Sequence, residues 1–129
     1  MLDRLLNTDT FLSAQGALDG LSARHAAIAD NIANVNTPNY KRKAVPFEEA
    51  LARAVQDQTS PCTGSANGTP RPFTPCVTRD TDSAARSDGN NVDIESEMVQ
   101  LADTSLRYET LTQYVGGFFS GLKAVINAK

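Results

Sequence analysis

Few side chains in this sequence have the type and spacing to do chemistry. His25 is the only histidine, and histidine is the usual proton donor and acceptor near neutral pH. It falls, however, on an apolar helical stripe, where a histidine with its ring nitrogens hydrogen-bonded serves as core rather than as base or ligand. Cys62 and Cys76 are the only cysteines and are separated by thirteen residues. With no second cysteine pair or histidine pair nearby, a zinc site is not expected. In an oxidising compartment their bond would close about 15 residues and add on the order of 3 kcal/mol; in a reducing one both remain thiols. Asp93, Glu95 and Glu97 alternate at the start of a helix, where capping and the helix dipole explain acids better than a metal does. Gly64 and Gly68 lie among Ser, Asn and Thr with no following lysine, which is linker composition and not a phosphate loop. Lys41-Arg42-Lys43 is followed after four residues by Glu48 and Glu49 and reads as a solvated turn, not a nucleic-acid patch. The expectation is no enzyme, no cofactor and no metal.

The elements that carry these residues are long. At 129 residues and 13.8 kDa the chain suffices for one domain with a modest core. Its net charge of −3 gives no electrostatic reason to expect nucleic-acid binding. No run approaches the roughly 20 apolar residues that span a bilayer. Met1 to Asn7 lacks the pattern of a secretory signal, so any exit from the cytoplasm is expected to use a route that does not read one.

Phe11, Ala14, Leu18, Leu21, His25, Ile28, Ile32 and Val35 recur at spacings of three and four, which places them on one stripe of a helix. Ile94, Met98, Leu101, Ser105, Tyr108, Thr112, Val115, Phe119, Leu122 and Ile126 repeat the pattern, widened by Leu111, Phe118 and Val125. The period of 3.5 belongs to helices that pack lengthwise on other helices. The predicted fold is all-α: an N-terminal helix over 8–36, an Asn/Thr/Pro turn and a short amphipathic helix within 37–57, a flexible insert over 58–91, and a C-terminal helix over 92–127. The long helices form a coiled-coil-like hairpin. In the insert, Phe73 and Val77 are the only large aliphatic or aromatic side chains from Gln58 to Asn91, too few for a core. Two antiparallel helices can bury one stripe each, but the second stripe is too wide for a single partner. Other chains are expected to cover the remainder.

The most informative stretch is Leu21 to Lys41, L-S-A-R-H-A-A-I-A-D-N-I-A-N-V-N-T-P-N-Y-K. Its asparagines sit where Pro38 stops the helix, and there are more of them than capping needs. Ser22, Arg24, Ile28, Ala29, Asn31, Ile32, Ala33, Asn34, Thr37, Pro38 and Tyr40 resemble, position by position, the N-terminal signature of bacterial flagellar rod and hook proteins. Asn39 stands where that family usually has Gly, and His25 where Gln is usual. Gly89-Asn90-Asn91-Val92-Asp93-Ile94-Glu95-Ser96-Glu97-Met98, with Leu101, Leu106, Tyr108, Leu111 and Phe119, is most similar to the proximal rod members. The resemblance implies a structural subunit, exported without cleavage and assembled through its terminal helices at the proximal end of the periplasmic rod. Implied partners are other rod subunits, the small adaptor protein FliE, and the membrane ring and export gate. The expected assembly interface is Leu18, Leu21, His25, Ile28, Ile32, Val35, Ile94, Met98, Leu101, Tyr108, Val115, Phe119, Leu122 and Ile126. Asn31, Asn34, Thr37, Pro38 and Tyr40 form the family-motif turn. A soluble helical adaptor or export chaperone that binds one partner helix is the alternative function.

Overall fold

The computed structural model describes residues 9–57, 74–81 and 86–127. Helix α1 (Asp9–Ala33) is followed by β1 (Lys43–Ala44), helix α2 (Phe47–Asp57), β2 (Thr78–Arg79) and helix α3 (Ile94–Asn127). At 25 and 34 residues the long helices are rods of about 37 and 51 Å. The predicted all-α hairpin is what forms.

α1 stops at Ala33, three residues before the expected end. The Asn34 side chain donates to the Asp30 carbonyl at 2.8 Å and Thr37 N–H to the Asn34 carbonyl at 3.0 Å, so local bonds replace the helical ladder before Pro38 is reached. Asn39 then takes φ 60°, the left-handed value that asparagine tolerates best after glycine.

α1 and α3 run antiparallel, with Asn31 opposite Glu97, His25 opposite Ser105, and Phe11 against Phe118 and Phe119. The residues by which α3 meets α1 are the buried Glu97 and Thr104 and the half-buried Leu101, Leu111, Val115, Phe118 and Leu122. Of the expected seam, Met98 and Thr112 are exposed, and Ser105 and Phe119 are exposed as well although they still touch His25 and Phe11, because polar Glu97 and Thr104 hold inward places that an apolar template passes over.

α2 lies on α1 through a cluster of Leu21, Ala27, Val45 and Phe47, with Ala50, Leu51 and Leu111 packed against it. Each large side chain so buried contributes about 1.5–3 kcal/mol. A Cβ on Gly20 would stand 2.4 Å from the Phe47 ring, so only glycine lets α2 come this close. The spacing of Phe47, Leu51 and Val55 puts them on one face of α2, with Glu49 four residues before Arg53; the side chains of Val55 and Arg53 lie outside the described residues.

Part of the expected insert is structured. β1 and β2 form an antiparallel ladder with Lys43 opposite Arg79 and Ala44 opposite Thr78, extended by Asp80 N–H donating to the Arg42 carbonyl at 2.8 Å. Asn90 and Asn91 are buried. Cys76 is disulfide-bonded, and Cys62 is the only other cysteine in the chain. The expectations for 58–73 and 82–85, Phe73 included, lie outside the described residues. Among the described residues no helix is long and apolar enough to cross a membrane.

Candidate assembly site

The family-motif asparagines are explained first by what they hold. Asn31 is fully buried. Its side-chain amide donates to the Lys43 carbonyl at 2.8 Å and to Glu97 Oε2 at 3.1 Å, while its oxygen accepts from Lys43 N–H at 2.8 Å and Tyr40 O–H at 3.3 Å. Both donors and both acceptor sites of the amide are thus used. Glu97, also at 0% exposure, accepts from Arg42 Nε, whose Nη2 continues to Gln100 Oε1 at 2.8 Å. A buried carboxylate is tolerable only when paired and hydrogen-bonded in this way.

Asn90 closes the other side. Its amide donates to the carbonyls of Asn34, Val35 and Thr37 at 2.9–3.1 Å and its oxygen accepts from Val92 N–H. Carbonyls orphaned at the end of α1 are so satisfied from a segment 55 residues away. Arg86 adds a bond to the Val35 carbonyl at 2.9 Å. Asn39 N–H donates to the Asp88 carbonyl, and a Cβ on Gly89, at φ 78°, would press on Asn39 Oδ1. The turn is therefore clasped to the entrance of α3. Thr37 and Pro38 are exposed and Tyr40 half-buried.

Two expectations are corrected here. Lys41-Arg42-Lys43 is not a solvated run: Arg42 reaches buried Glu97, Lys41 Nζ bonds the Gly89 carbonyl at 2.9 Å, and Lys43 sits in the ladder. The Asp30 carboxylate, hydrogen-bonded to Lys43, holds its ammonium above the usual value against partial desolvation. Glu97 is not a cap. Asp93 has that role, accepting from Glu95 N–H at 3.1 Å. From the sequence, Asn90 and Asn91 stand only within the resemblance from Gly89 to Met98 and Arg42 only within the basic run, with no such partners assigned to them, and Arg86 is not singled out.

Arg24, another motif position, fixes α2. It donates to both Glu48 carboxylate oxygens and the Val45 carbonyl and lies 4.6 Å over the Phe47 ring. Burial opposes ionisation of Glu48, but the bonds and charge of Arg24 outweigh it and hold the carboxyl below its usual value.

The expected interface residues divide by exposure. Leu21 and Ile28 are buried within the chain and have no face left for a neighbour, because α2 and the β1 segment cover them. Leu18, His25, Ile32, Val35, Leu101, Val115 and Leu122 are half-buried in the hairpin. His25 is a seam residue: Ser105 already donates its hydroxyl hydrogen to the Leu101 carbonyl, so the 3.3 Å contact has the His25 ring Nε2–H donating to Ser105 Oγ. Ile94, Met98, Tyr108, Phe119 and Ile126 are exposed, as are Val99, Leu106, Tyr114 and Val125. These two sets occupy different flanks of α3. Leu106 and Tyr114 of the second set border a groove of about 870 Å³ between α1, α2 and α3.

So large an apolar exposure on a small chain marks a surface for other molecules, and relatives identify the setting. Residues 11–41, covering most of α1 and the clasped turn, match the family described as "Flagella basal body rod protein". The chain is 37% identical over 120 residues to the flagellar basal body rod protein FlgB of Borrelia hermsii, covering 84% of this chain and 89% of that one. FlgB of Bacillus subtilis is 31% identical over 125 residues, 94% and 95% covered, and that of Escherichia coli 30% over 138, with 99% of each. The chain belongs to the FlgB family of flagellar basal-body rod proteins. As a FlgB-family member it is a component of the flagellar basal-body rod. The family match includes Arg24, Asn31, Asn34, Thr37, Pro38 and Tyr40, the α1 side of both clasps.

Proposed function

We propose that this chain is a structural, non-catalytic subunit of the proximal part of the periplasmic drive shaft. It joins its neighbours through the exposed flanks of α3 and the half-buried rims of the α1–α3 seam. The single observation that carries the reading is the row Ile94, Met98, Tyr108, Phe119 and Ile126, which remains exposed after α1 has taken what it can cover. Its neighbours are other rod subunits, the adaptor protein FliE, and the membrane ring and export gate. A soluble adaptor or export chaperone needs one partner surface; α3 offers two, on different flanks, which favours a place within an array.

The test is complementation of a strain lacking this gene. Ile126→Asp alters a residue that is 64% exposed, so the purified variant should keep wild-type helicity and melting while the strain fails to swim and lacks complete basal bodies in electron micrographs. A folded Ile126→Asp protein that restores full swimming would remove this flank from the assembly.

A further inference from the structure

We propose that the disulfide of Cys76 is a lock set by compartment: while both thiols are reduced β2 is loosely held, and oxidation after the chain leaves the cytoplasm fixes β2 over the clasped turn. This rests on the periplasmic rod reading, which puts synthesis and assembly in compartments of opposite redox character. Cys76 is disulfide-bonded, and Cys62 is the only other cysteine in the chain. Cys76 is also exposed, so a partner in thiol–disulfide exchange can reach it.

β2 needs such a lock. Cys76, Val77, Thr78 and Arg79 are all exposed, so the strand buries no large apolar side chain. Its ladder with β1 has two residue pairs, helped by Thr78 Oγ1–H donating to the Ala44 carbonyl at 3.1 Å. A two-stranded ribbon of this kind is marginal in water, because no burial offsets the entropy of ordering its backbone. Yet it lies where the clasp is made. Asp80 donates its N–H to the Arg42 carbonyl, accepts from the Asn91 side-chain amide at 2.8 Å and sets its carboxylate 3.8 Å from the Arg42 guanidinium. Arg42 is the partner of buried Glu97, so β2 braces that pair from outside.

The bond acts through chain length. From the end of α2 at Asp57 to the start of β2 at Thr78 the backbone path is the twenty residues 58–77; across the bond it is the seven residues 58–62 and 76–77. The probability that two chain ends meet falls as the three-halves power of the length between them, so the cross-link raises the local concentration of β2 beside β1 about fivefold. Phe47 and Leu51 anchor α2 on α1, so the shortened path starts from a fixed point. In the oxidation, the Cys76 thiolate attacks the disulfide of a carrier oxidoreductase, breaking it to give a mixed disulfide and one carrier thiolate. The Cys62 thiolate then attacks Cys76 Sγ and displaces the second carrier sulfur. The two electrons and two protons lost by the chain leave with the carrier as its dithiol.

The experiment has two arms. In the first, amide hydrogen exchange of the oxidised full-length chain is compared with that of the double variant Cys62→Ser, Cys76→Ser and of the reduced wild type. The Asp80 amide should exchange about fivefold faster in both chains that lack the bond. Equal Asp80 rates with and without the bond overturn the proposal. In the second, cells are quenched in acid and their free thiols labelled with a maleimide. Copies held in the cytoplasm of a strain with blocked flagellar export should label at both cysteines, and copies in purified basal bodies at neither. Labelled copies in basal bodies, or unlabelled ones in the cytoplasm, overturn the timing while the rod reading stands. If the chain is absent from basal bodies, the rod reading falls and the timing falls with it.

Discussion

The two ends of the α1–α3 hairpin are built on different principles. At the end holding the turn, fully buried polar groups, Asn31, Glu97 and Asn90, are satisfied by partners from the turn, β1 and the entrance of α3. At the other end, Phe11 meets Phe118 and Phe119 with ring centroids 5.8–6.0 Å apart, and the surrounding helix stays open. Directional bonds allow only one register of the helices, whereas aromatic packing tolerates sliding. The polar end therefore decides how this chain folds. The apolar end decides little about the fold and is left for neighbours.

That contrast can be broken by mutation, beginning with the largest effect. Arg42→Ala strands the buried Glu97 carboxylate and should cost about 3–5 kcal/mol in urea unfolding; pairing Arg42→Met with Glu97→Leu should recover most of the loss, because no charge is then left buried. Asn90→Ala, which takes one of two donors from each of the Asn34, Val35 and Thr37 carbonyls and leaves the buried Val92 N–H without its acceptor, should cost about 1–3 kcal/mol by the same measurement. Gly117→Ala at the apolar end should do the reverse. Its Cβ meets nothing within 4 Å, so the isolated chain should gain up to about 1 kcal/mol from helix propensity. The smallest effect concerns pH. Glu48 has a folded value held below its usual 4.5, so its contribution is present above pH 4.5 and lost as pH falls through the folded value. In Glu48→Gln the drop in urea midpoint between pH 7 and pH 3 should be smaller than in the wild type.

The polar end was half legible in the sequence. The run from Asn31 to Tyr40 was conspicuous as more amides than a terminus needs, and its stop before Pro38 followed from backbone sterics. Its partners were not. Asn90 and Asn91 belong to the run from Gly89 to Met98, whose resemblance marks the family but names no partner for either amide, and the three-residue basic run hid one arginine that turns inward. The apolar end was legible as a 3.5-residue repeat, and the breadth of the stripe announced surplus surface. What misled was the assumption that the inward row must be apolar. With Glu97 and Thr104 in that row, periodicity alone moved Met98 inward, whereas it is exposed. A two-residue ladder such as β1–β2 is too short to leave any alternation to detect.

Amide hydrogen exchange along α3 of the isolated chain tests most directly whether one end folds the molecule and the other awaits neighbours. Around Glu97 to Thr104, where α3 is locked to α1 and the turn, exchange should occur only with global unfolding. From Gly116 to Asn127, where the outward flanks are bare and three glycines weaken the helix, it should be faster by orders of magnitude. Uniformly slow exchange to the last turn, in a chain that stays monomeric, would contradict the division of labour between the two ends.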